Sequence, residues 1–334
     1  MEMRKLGADG PDVSAIGVGA MSFTAFYGEV AEDDCHATLD AALECGITHL
    51  DTSNVYGLGR SEEIIGAHLD RYRGKGALPF RIATKAGIVR GPGSGPRKFD
   101  NSAAYLEQEL DKSLKRLGLE QVELFYVHRR DHDIEIEDVT DSLVRLVQKG
   151  KIARFGFSEI APTSLRRAAE VHPVAAVQSE YSLQTRQPEL GLVQACAELG
   201  TALVAFSPVG RGLLTDRPPT PESIARSTFL SDNPRFTGDN LMRNRRASDA
   251  LRNLAGDMGK PTAALAIAWL LHQGKHVIPI PGTHSPQHLR DLAAGTELAL
   301  TPDILAEIDT RLPIGWAHGD RYSAAQNNGP EQYC

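Results

Sequence analysis

The chain has 334 residues, 41% of them hydrophobic and 24% charged, which excludes a disordered or low-complexity protein and leaves room for a large core. Its formal charge of -7 argues against nucleic acid or an anionic membrane as the main partner, since neither offers counter-charge. No stretch approaches the roughly 20 apolar residues that cross a bilayer, and Met1-Glu2-Met3-Arg4-Lys5 leads into Leu6-Gly7 rather than an apolar run with a cleavage site, so a cytoplasmic protein without a secretory signal is expected.

In chain order, residues 3–6 and 13–16 read as two short strands around the turn Gly10-Pro11-Asp12, a hairpin that precedes the main fold. Apolar or β-branched runs then recur at 16–18, 49–50, 81–84, 122–127, 153–157, 175–178, 202–206 and 276–280. Between these eight candidate strands lie helical patterns with apolar residues three and four apart, such as Ala104, Leu106, Leu110, Leu114 and Leu117, or Leu143, Leu146 and Val147. Asp138 reads as the residue before one helix, Gly150 as the residue after it, and Pro162 falls where a first turn tolerates it. Eight strand-then-helix units without a linker predict an α/β fold: a single (β/α)8 TIM barrel over residues 1–334, with an N-terminal β-hairpin and long loops on the C-terminal face.

Two connections exceed the usual length. Residues 88–100 are rich in Gly, Pro and Arg, and residues 209–237 contain Pro218-Pro219-Thr220-Pro221; segments of this length are functional covers or, for the Pro-rich part, disordered chain. The cysteines Cys35, Cys45, Cys196 and Cys334 show no CxxC spacing and read as free thiols of a reducing compartment.

Active sites of parallel barrels form at the carboxyl ends of the strands. The second strand ends in Asp51, with Tyr56 in the loop behind it, the third in Lys85 and the fourth in His128. Singly, these are a capping Asp, a packing Tyr, a solvated Lys and a structural His. Placed together on three consecutive strand ends, they form a set of proton-active groups on one rim.

The phrases Gly46-Ile47-Thr48-His49-Leu50-Asp51-Thr52-Ser53-Asn54-Val55-Tyr56-Gly57, Ala83-Thr84-Lys85, Tyr126-Val127-His128-Arg129, Phe157-Ser158-Glu159, Val177-Gln178-Ser179-Glu180-Tyr181-Ser182, Phe206-Ser207-Pro208-Val209-Gly210-Arg211-Gly212 and Ile278-Pro279-Ile280-Pro281-Gly282-Thr283 follow one another over nearly the whole chain. In this order they resemble the aldo-keto reductase family. Asp232-Asn233-Pro234-Arg235-Phe236 and Gly319-Asp320-Arg321-Tyr322 look closest to the bacterial and plant branch that includes pyridoxal- and perakine-reductase-like enzymes.

The resemblance implies reduction of a small aldehyde or ketone by hydride from a nicotinamide cofactor. Tyr56 would be the proton donor; a phenol with an ordinary pKa near 10 needs help at neutral pH. Lys85 is expected to lower it and Asp51 to hold Lys85 charged, while His128 would hydrogen-bond the carbonyl oxygen or relay a proton. No Rossmann fingerprint is present, since Gly17-Val18-Gly19 and Gly57-Leu58-Gly59 lack the third glycine. By resemblance, Ser158 and Gln178 would hold the nicotinamide carboxamide and Phe206 would stack on the ring, where its other reading is a core aromatic. The loop of Ser207, Pro208, Val209, Gly210, Arg211 and Leu213 would receive the pyrophosphate, with Gly19, Ala20 and Met21 beside the nicotinamide.

At the adenosine end the chain departs from the pattern. After Gly282-Thr283 it carries His284 and His288 where relatives carry Lys or Arg, Asp291 for Glu, and Leu292 for Asn. A neutral imidazole is a weaker phosphate ligand than a guanidinium, so NADPH is expected with NADH also accepted, and Arg211, Arg217 or Arg226 stand as compensating charges. Phe23, Phe26, Tyr27, Ile88, Arg129, Arg130 and Trp316 are candidate substrate contacts, and an arginine there suits an anionic or polyhydroxylated carbonyl.

Two competing readings remain open. A metal-dependent barrel hydrolase is suggested by His128-Arg129-Arg130-Asp131-His132-Asp133, although the other strand ends offer Lys85, Ser158 and Gln178, and no metal is expected. A non-catalytic nicotinamide-binding regulatory subunit, as in the potassium-channel β subunits, tends to carry Asn in place of His128. The expected partner is a small-molecule carbonyl substrate, with no nucleic acid and no membrane, and the chain a monomer or weak homo-oligomer.

Overall fold

Eight parallel strands carry the architecture of the computed structural model, which describes residues 1–90 and 98–333. After a hairpin of β1 (Met3–Lys5) and β2 (Asp12–Ser14), the barrel strands are β3 (Gly17–Gly19), β4 (His49–Asp51), β5 (Arg81–Ala86), β8 (Val122–Val127), β9 (Ile152–Ser158), β10 (Ala176–Glu180), β11 (Ala202–Phe206) and β12 (Val277–Pro279). A short antiparallel pair, β6 (Ile88–Val89) and β7 (Lys98–Phe99), lies between β5 and β8. It occupies the first long connection, of which residues 91–97 fall outside the described chain, as does Cys334. The barrel sheet runs β3-β4-β5-β8-β9-β10-β11-β12. Between its end strands the Gly19 N–H donates to Pro281 O at 2.9 Å. That approach requires glycine, because a Cβ at position 19 would stand 2.8 Å from Ile280 O.

Burial on both faces explains why the barrel strands read as apolar runs and not as alternating ones. Inside, Ala83, Leu124, Tyr126, Ala176, Ala202, Val204, Ile278 and Ile280 form one apolar cluster, to which the hairpin contributes Leu6 and Val13. The hairpin thus plugs the amino-terminal end of the barrel. Arg4 locks it there, donating to Leu271 O at 2.8 Å, Gly274 O at 2.7 Å and Val277 O. Outside, the helices α1 (Glu32–Glu44), α2 (Arg60–Asp70), α3 (Ala103–Leu117), α4 (Ile136–Gln148), α5 (Pro162–Val171) and α6 (Leu192–Leu199) turn one apolar stripe inward. Leu106, Leu110, Leu114 and Leu117 of α3 are all buried, each worth about 1.5–3 kcal/mol against leaving it in water.

Local signals set most helix ends. Ser102 caps α3, and Gly118 ends it in the left-handed conformation. Pro162 occupies the first turn of α5 as expected. Asp138, in contrast, lies inside the first turn of α4, and Glu135 is the residue before it; an acidic group is stabilising at either place.

The segment 209–237 is built rather than disordered. It contains α7 (Pro221–Ala225), capped by Thr220, and three short 3-10 turns. Leu213, Ile224, Leu230 and Phe236 pack there with Leu241 of α8 (Gly238–Asp257). Behind it α9 (Thr262–His272) is buried from Thr262 through Leu270, consistent with its uniformly apolar, Ala-rich sequence. The helices α10 (Pro286–Ala293) and α11 (Pro302–Arg311) follow. Cys35, Cys45 and Cys196 are free. Among the described residues no helix is long and apolar enough to cross a membrane.

Candidate active site

Asp51 is the last residue of β4, Lys85 lies near the end of β5, His128 follows β8, and Tyr56 opens the 3-10 turn behind β4. The barrel brings them together at its carboxyl rim. Lys85 is fully buried; its Nζ donates to Asp51 Oδ1 and, at 2.8 Å, to Thr52 O. The ammonium stands 5.2 Å from the centroid of the Tyr56 ring and 5.7 Å from that of Tyr126. Room for the Tyr126 ring exists because Gly156 faces it: a Cβ at position 156 would come within 2.9 Å of its Cε1. The His128 and Tyr56 rings meet edge to face with centroids 5.8 Å apart, and His128 Nδ1 lies 3.0 Å from Ser53 Oγ.

The electrostatics correct one expectation. Burial pushes the Lys85 amine below its usual value, against the charge and hydrogen bond of Asp51. Burial also pushes the Tyr56 phenol above its usual value, Asp51 pushes the same way, and the opposing cation is Arg129. The expectation that Lys85, held charged by Asp51, lowers the Tyr56 phenol is not met. The reason is contact pairing: an ammonium touching a carboxylate presents a dipole to its surroundings, so the desolvation of Tyr56 prevails.

On the far side of the rim, Ser158 and Gln178 are register partners across β9 and β10, and Phe206, half-exposed, ends the neighbouring β11. Ser158 Oγ accepts from Arg129 Nη1 at 3.0 Å, which leaves its own O–H free to donate. Gln178 Nε2 donates to Asp51 Oδ2 at 2.8 Å. In the following loop Ser207, Gly210, Arg211 and Gly212 all have positive φ, and Pro208 and Leu213 are buried anchors beside the half-exposed Val209. The Gly210 and Leu213 N–H groups close turns onto Ser207 O and Gly210 O at 2.9 and 3.2 Å. Backbone that alternates between left- and right-handed residues forms concavities suited to anionic oxygens. Gly19, in register with Asp51, and the half-exposed Met21 flank the opposite edge, with Ala20 buried between them. This set fits a nicotinamide dinucleotide: polar side chains and an aromatic face on adjacent strand ends, followed by a phosphate-shaped turn.

At the distal end Thr283 Oγ1 accepts from Ser285 N at 3.0 Å, and Ser285 caps α10 by accepting from His288 N at 3.4 Å. Gly282 and His288 are exposed and His284 is half-exposed at this helix start, a setting that favours anions. Asp291 is held by Gln287 Nε2 at 2.9 Å. Arg211 does not supply the missing charge. Its guanidinium is 2.6 Å from Glu180 Oε2 and lies over the Phe229 and Tyr322 rings at 4.9 Å each. Arg217 and Arg226 are exposed.

Of the substrate candidates, Tyr27 is half-buried and packs edge to face with Phe26 and Phe229 at 5.4 and 6.5 Å. Arg129 is buried beside Ser158, and Ile88 is buried at the start of β6. Phe23 differs: at 1% exposure it belongs to the main core and presents no surface to a pocket. Arg130 pairs with Glu331, and Trp316 donates from Nε1 to Leu183 O at 2.8 Å.

Sequence reasoning missed Ser53, Tyr126 and the tail network. The first two had a signal, since period-two counting along a strand puts Ser53 on the face of Asp51 and Tyr126 on that of His128. The tail had none. Arg321 Nη2 lies 2.5 Å from Glu159 Oε2, Glu331 N donates to Glu159 O at 2.9 Å, Asn233 Nδ2 donates to Arg321 O at 2.8 Å, and Arg235 Nε donates to Gly319 O at 3.3 Å. Among the described residues no group of three or more His, Cys, Asp or Glu is placed to hold a metal, so the run from His128 to Asp133 does not converge as the hydrolase reading requires.

Comparison with known proteins adds an independent line. The model of the Aldo/keto reductase family matches residues 15–312. The chain is 37% identical to the Probable aldo-keto reductase 1 of Glycine max over 95% of its own length and 91% of that protein. It is 36% identical to the Aldo-keto reductase yakc [NADP(+)] of Schizosaccharomyces pombe over 96% and 94%. Among solved structures, the glycerol dehydrogenase AKR11B4 from Gluconobacter oxydans matches with a TM-score of 0.80 at 29% identity, covering 93% of this chain and 94% of that one.

Proposed function

The chain belongs to the aldo/keto reductase family of oxidoreductases, and we propose that it reduces a small aldehyde or ketone to the alcohol with Tyr56 as general acid and NADPH as the preferred hydride donor. The observation that carries this reading is the buried Asp51–Lys85 pair, with the Tyr56 ring 5.2 Å from its ammonium and the His128 ring edge-on to that phenol.

When bound, a reduced nicotinamide dinucleotide would supply the hydride that the carbonyl carbon takes up. The chain's own residues do the rest. A carbonyl oxygen received between Tyr56 and His128 takes the phenolic proton as negative charge develops on it, so the product leaves as a neutral alcohol. The charge of Arg129 offsets part of the cost that burial and Asp51 place on the phenolate left behind, and Lys85, held by Asp51, stands beside the phenol ring. Ser53, at 3.0 Å from His128 Nδ1, fixes the imidazole plane. Ser158, Gln178 and Phe206 would orient the nicotinamide, and Ser207, Pro208, Val209, Gly210, Arg211 and Leu213 would cradle the pyrophosphate. The relative from Schizosaccharomyces pombe is named for NADP(+), which supports the phosphorylated dinucleotide here; His284, His288 and Asp291 leave room for NADH.

The test is oxidation of NADPH and NADH by the purified protein against a panel of aldehydes, pyridoxal, quinones and bulky ketones. Substrate-dependent turnover lost in Tyr56→Phe supports the reading, and cofactor binding without turnover of any carbonyl overturns it.

A further inference from the structure

We propose that Arg129 is an anion anchor of the substrate pocket, so that the carbonyl compounds this protein turns over best carry a carboxylate or a phosphate. The proposal rests on Asp51, Tyr56, Lys85 and His128 being the reducing site.

Arg129 follows His128 directly and is only 7% exposed. Its backbone is pinned: Asn101 Nδ2 donates to Arg129 O at 3.0 Å, and Asn101 Oδ1 accepts from Asp131 N at 2.7 Å. The tail covers its stem, a Cβ at Gly329 falling 3.2 Å from Arg129 Cγ. The side chain is therefore placed before any ligand arrives.

What sets Arg129 apart is its charge balance. The other arginines buried to this degree, Arg4, Arg130, Arg211 and Arg235, each have a carboxylate within 4.0 Å. Among the described residues Arg129 has none. Glu159 feels its charge but is tied to Arg321, Ser179 and the Glu180 N–H. Among the described residues the guanidinium bonds neutral oxygens, Nη1 reaching His128 O at 2.6 Å and Ser158 Oγ at 3.0 Å. Nε is buried without a partner, and Nη2 has no protein partner among the described residues. A desolvated cation without a counter-ion is unfavourable, and an arriving anion removes that penalty. The fork of the guanidinium matches the paired oxygens of a carboxylate or phosphate.

Position limits the ligand to one small molecule. Arg129 is the cation that acts on the Tyr56 phenol and the donor to Ser158. An anion held there belongs to the same molecule whose carbonyl meets Tyr56 and His128.

The experiment compares kcat/KM, with NADPH and the full chain, for 4-carboxybenzaldehyde against methyl 4-formylbenzoate and for glyceraldehyde 3-phosphate against glyceraldehyde. The anionic member of at least one pair is expected to be favoured about tenfold or more, and the pair with the larger ratio tells carboxylate from phosphate. In Arg129→Met that ratio collapses towards one through the anion's KM, and in Arg129→Lys, which keeps the charge without the fork, it falls in between. Equal efficiencies in the wild type, or a ratio that Arg129→Met leaves unchanged while the KM for NADPH rises, overturn the proposal and leave Arg129 as a support for Ser158. If no member of either pair is reduced, the assignment of the reducing site fails. Titration of the NADPH-bound protein with benzoate and benzamide then still decides the anchor: a benzoate preference lost in Arg129→Met supports it, and equal binding overturns it.

Discussion

The side-chain amide of Gln178 donates to Asp51 Oδ2 at 2.8 Å, joining residues 127 apart in the chain. One hydrogen bond thereby links a residue expected to hold the cofactor to the carboxylate that holds Lys85. Replacing Gln178 by Ala removes a donor from a buried carboxylate, an interaction worth about 1.5–3 kcal/mol. The KM for NADPH is expected to rise and kcat to fall together, each by roughly tenfold or more. A raised KM with unchanged kcat would show that the bond to Asp51 is idle in turnover.

Tyr56→Phe deletes the acid and keeps the ring beside Lys85. Steady-state reduction should drop by about 10²–10⁴-fold, while NADPH affinity, followed by fluorescence titration, stays within about twofold, because the phenolic oxygen is needed only as charge develops on the substrate. Retention of turnover would assign the proton to His128 or water.

The direction of the Tyr56 shift predicts the pH profile. Burial, reinforced by Asp51, pushes the phenol above its usual value, so the protonated acid persists as pH rises. Reduction should show no loss attributable to Tyr56 up to about pH 9, and alcohol oxidation, which needs the phenolate, should climb with pH across that range. An alkaline break in reduction near neutrality that disappears in Tyr56→Phe would contradict this.

Glu159 anchors the tail, and its ionisation should be visible in stability. Burial alone would raise its carboxyl, but the Arg321 and Arg129 guanidiniums, with hydrogen bonds from Arg321 and the Glu180 N–H, hold it at about 2. The unfolded chain therefore binds more protons between the ordinary carboxylate range and about 2, and the stability Glu159 contributes is complete above that range and lost as pH falls through it. Arg321→Met strands the carboxylate and should cost about 3–5 kcal/mol near neutrality. Thermal unfolding at neutral and acidic pH checks it: the deficit should shrink on acidification, and a pH-independent deficit would remove Glu159 from the account.

At the start of α10, His288 is exposed and its backbone N–H bonds the Ser285 cap. His288→Arg adds a fixed charge and a fork where a 2′-phosphate is expected, and the ratio of NADPH to NADH efficiency should rise by about tenfold. Arg290 is no substitute, since it pairs with Glu44 at 2.7 Å. An unchanged ratio would place the 2′-phosphate elsewhere, with Arg217 and Arg226 the next residues to replace.

Local chemistry made the barrel legible. Strands buried on both faces appear as apolar runs, counting to the end of each run points to Asp51, Lys85 and His128, and the family resemblance adds Ser158, Gln178 and Phe206. Residues 209–237 were harder, because short turns such as α7 owe their order to packing against Leu241 and not to their own propensity. Phe23 failed for a related reason: an aromatic after a strand looks the same whether it faces the pocket or the core.

By itself, then, the sequence determined the alternation of strands and helices and the rim on which the reactive groups stand, since both follow from periodicities of two and of three to four residues. Only the tertiary structure decided which charges meet. Glu180 neutralises Arg211, Glu159 binds Arg321 from 162 residues away, and among the described residues Arg129 is left without a carboxylate within 4.0 Å. Electrostatic energy depends on distance and burial in space, and neither is written in the spacing of residues along a chain.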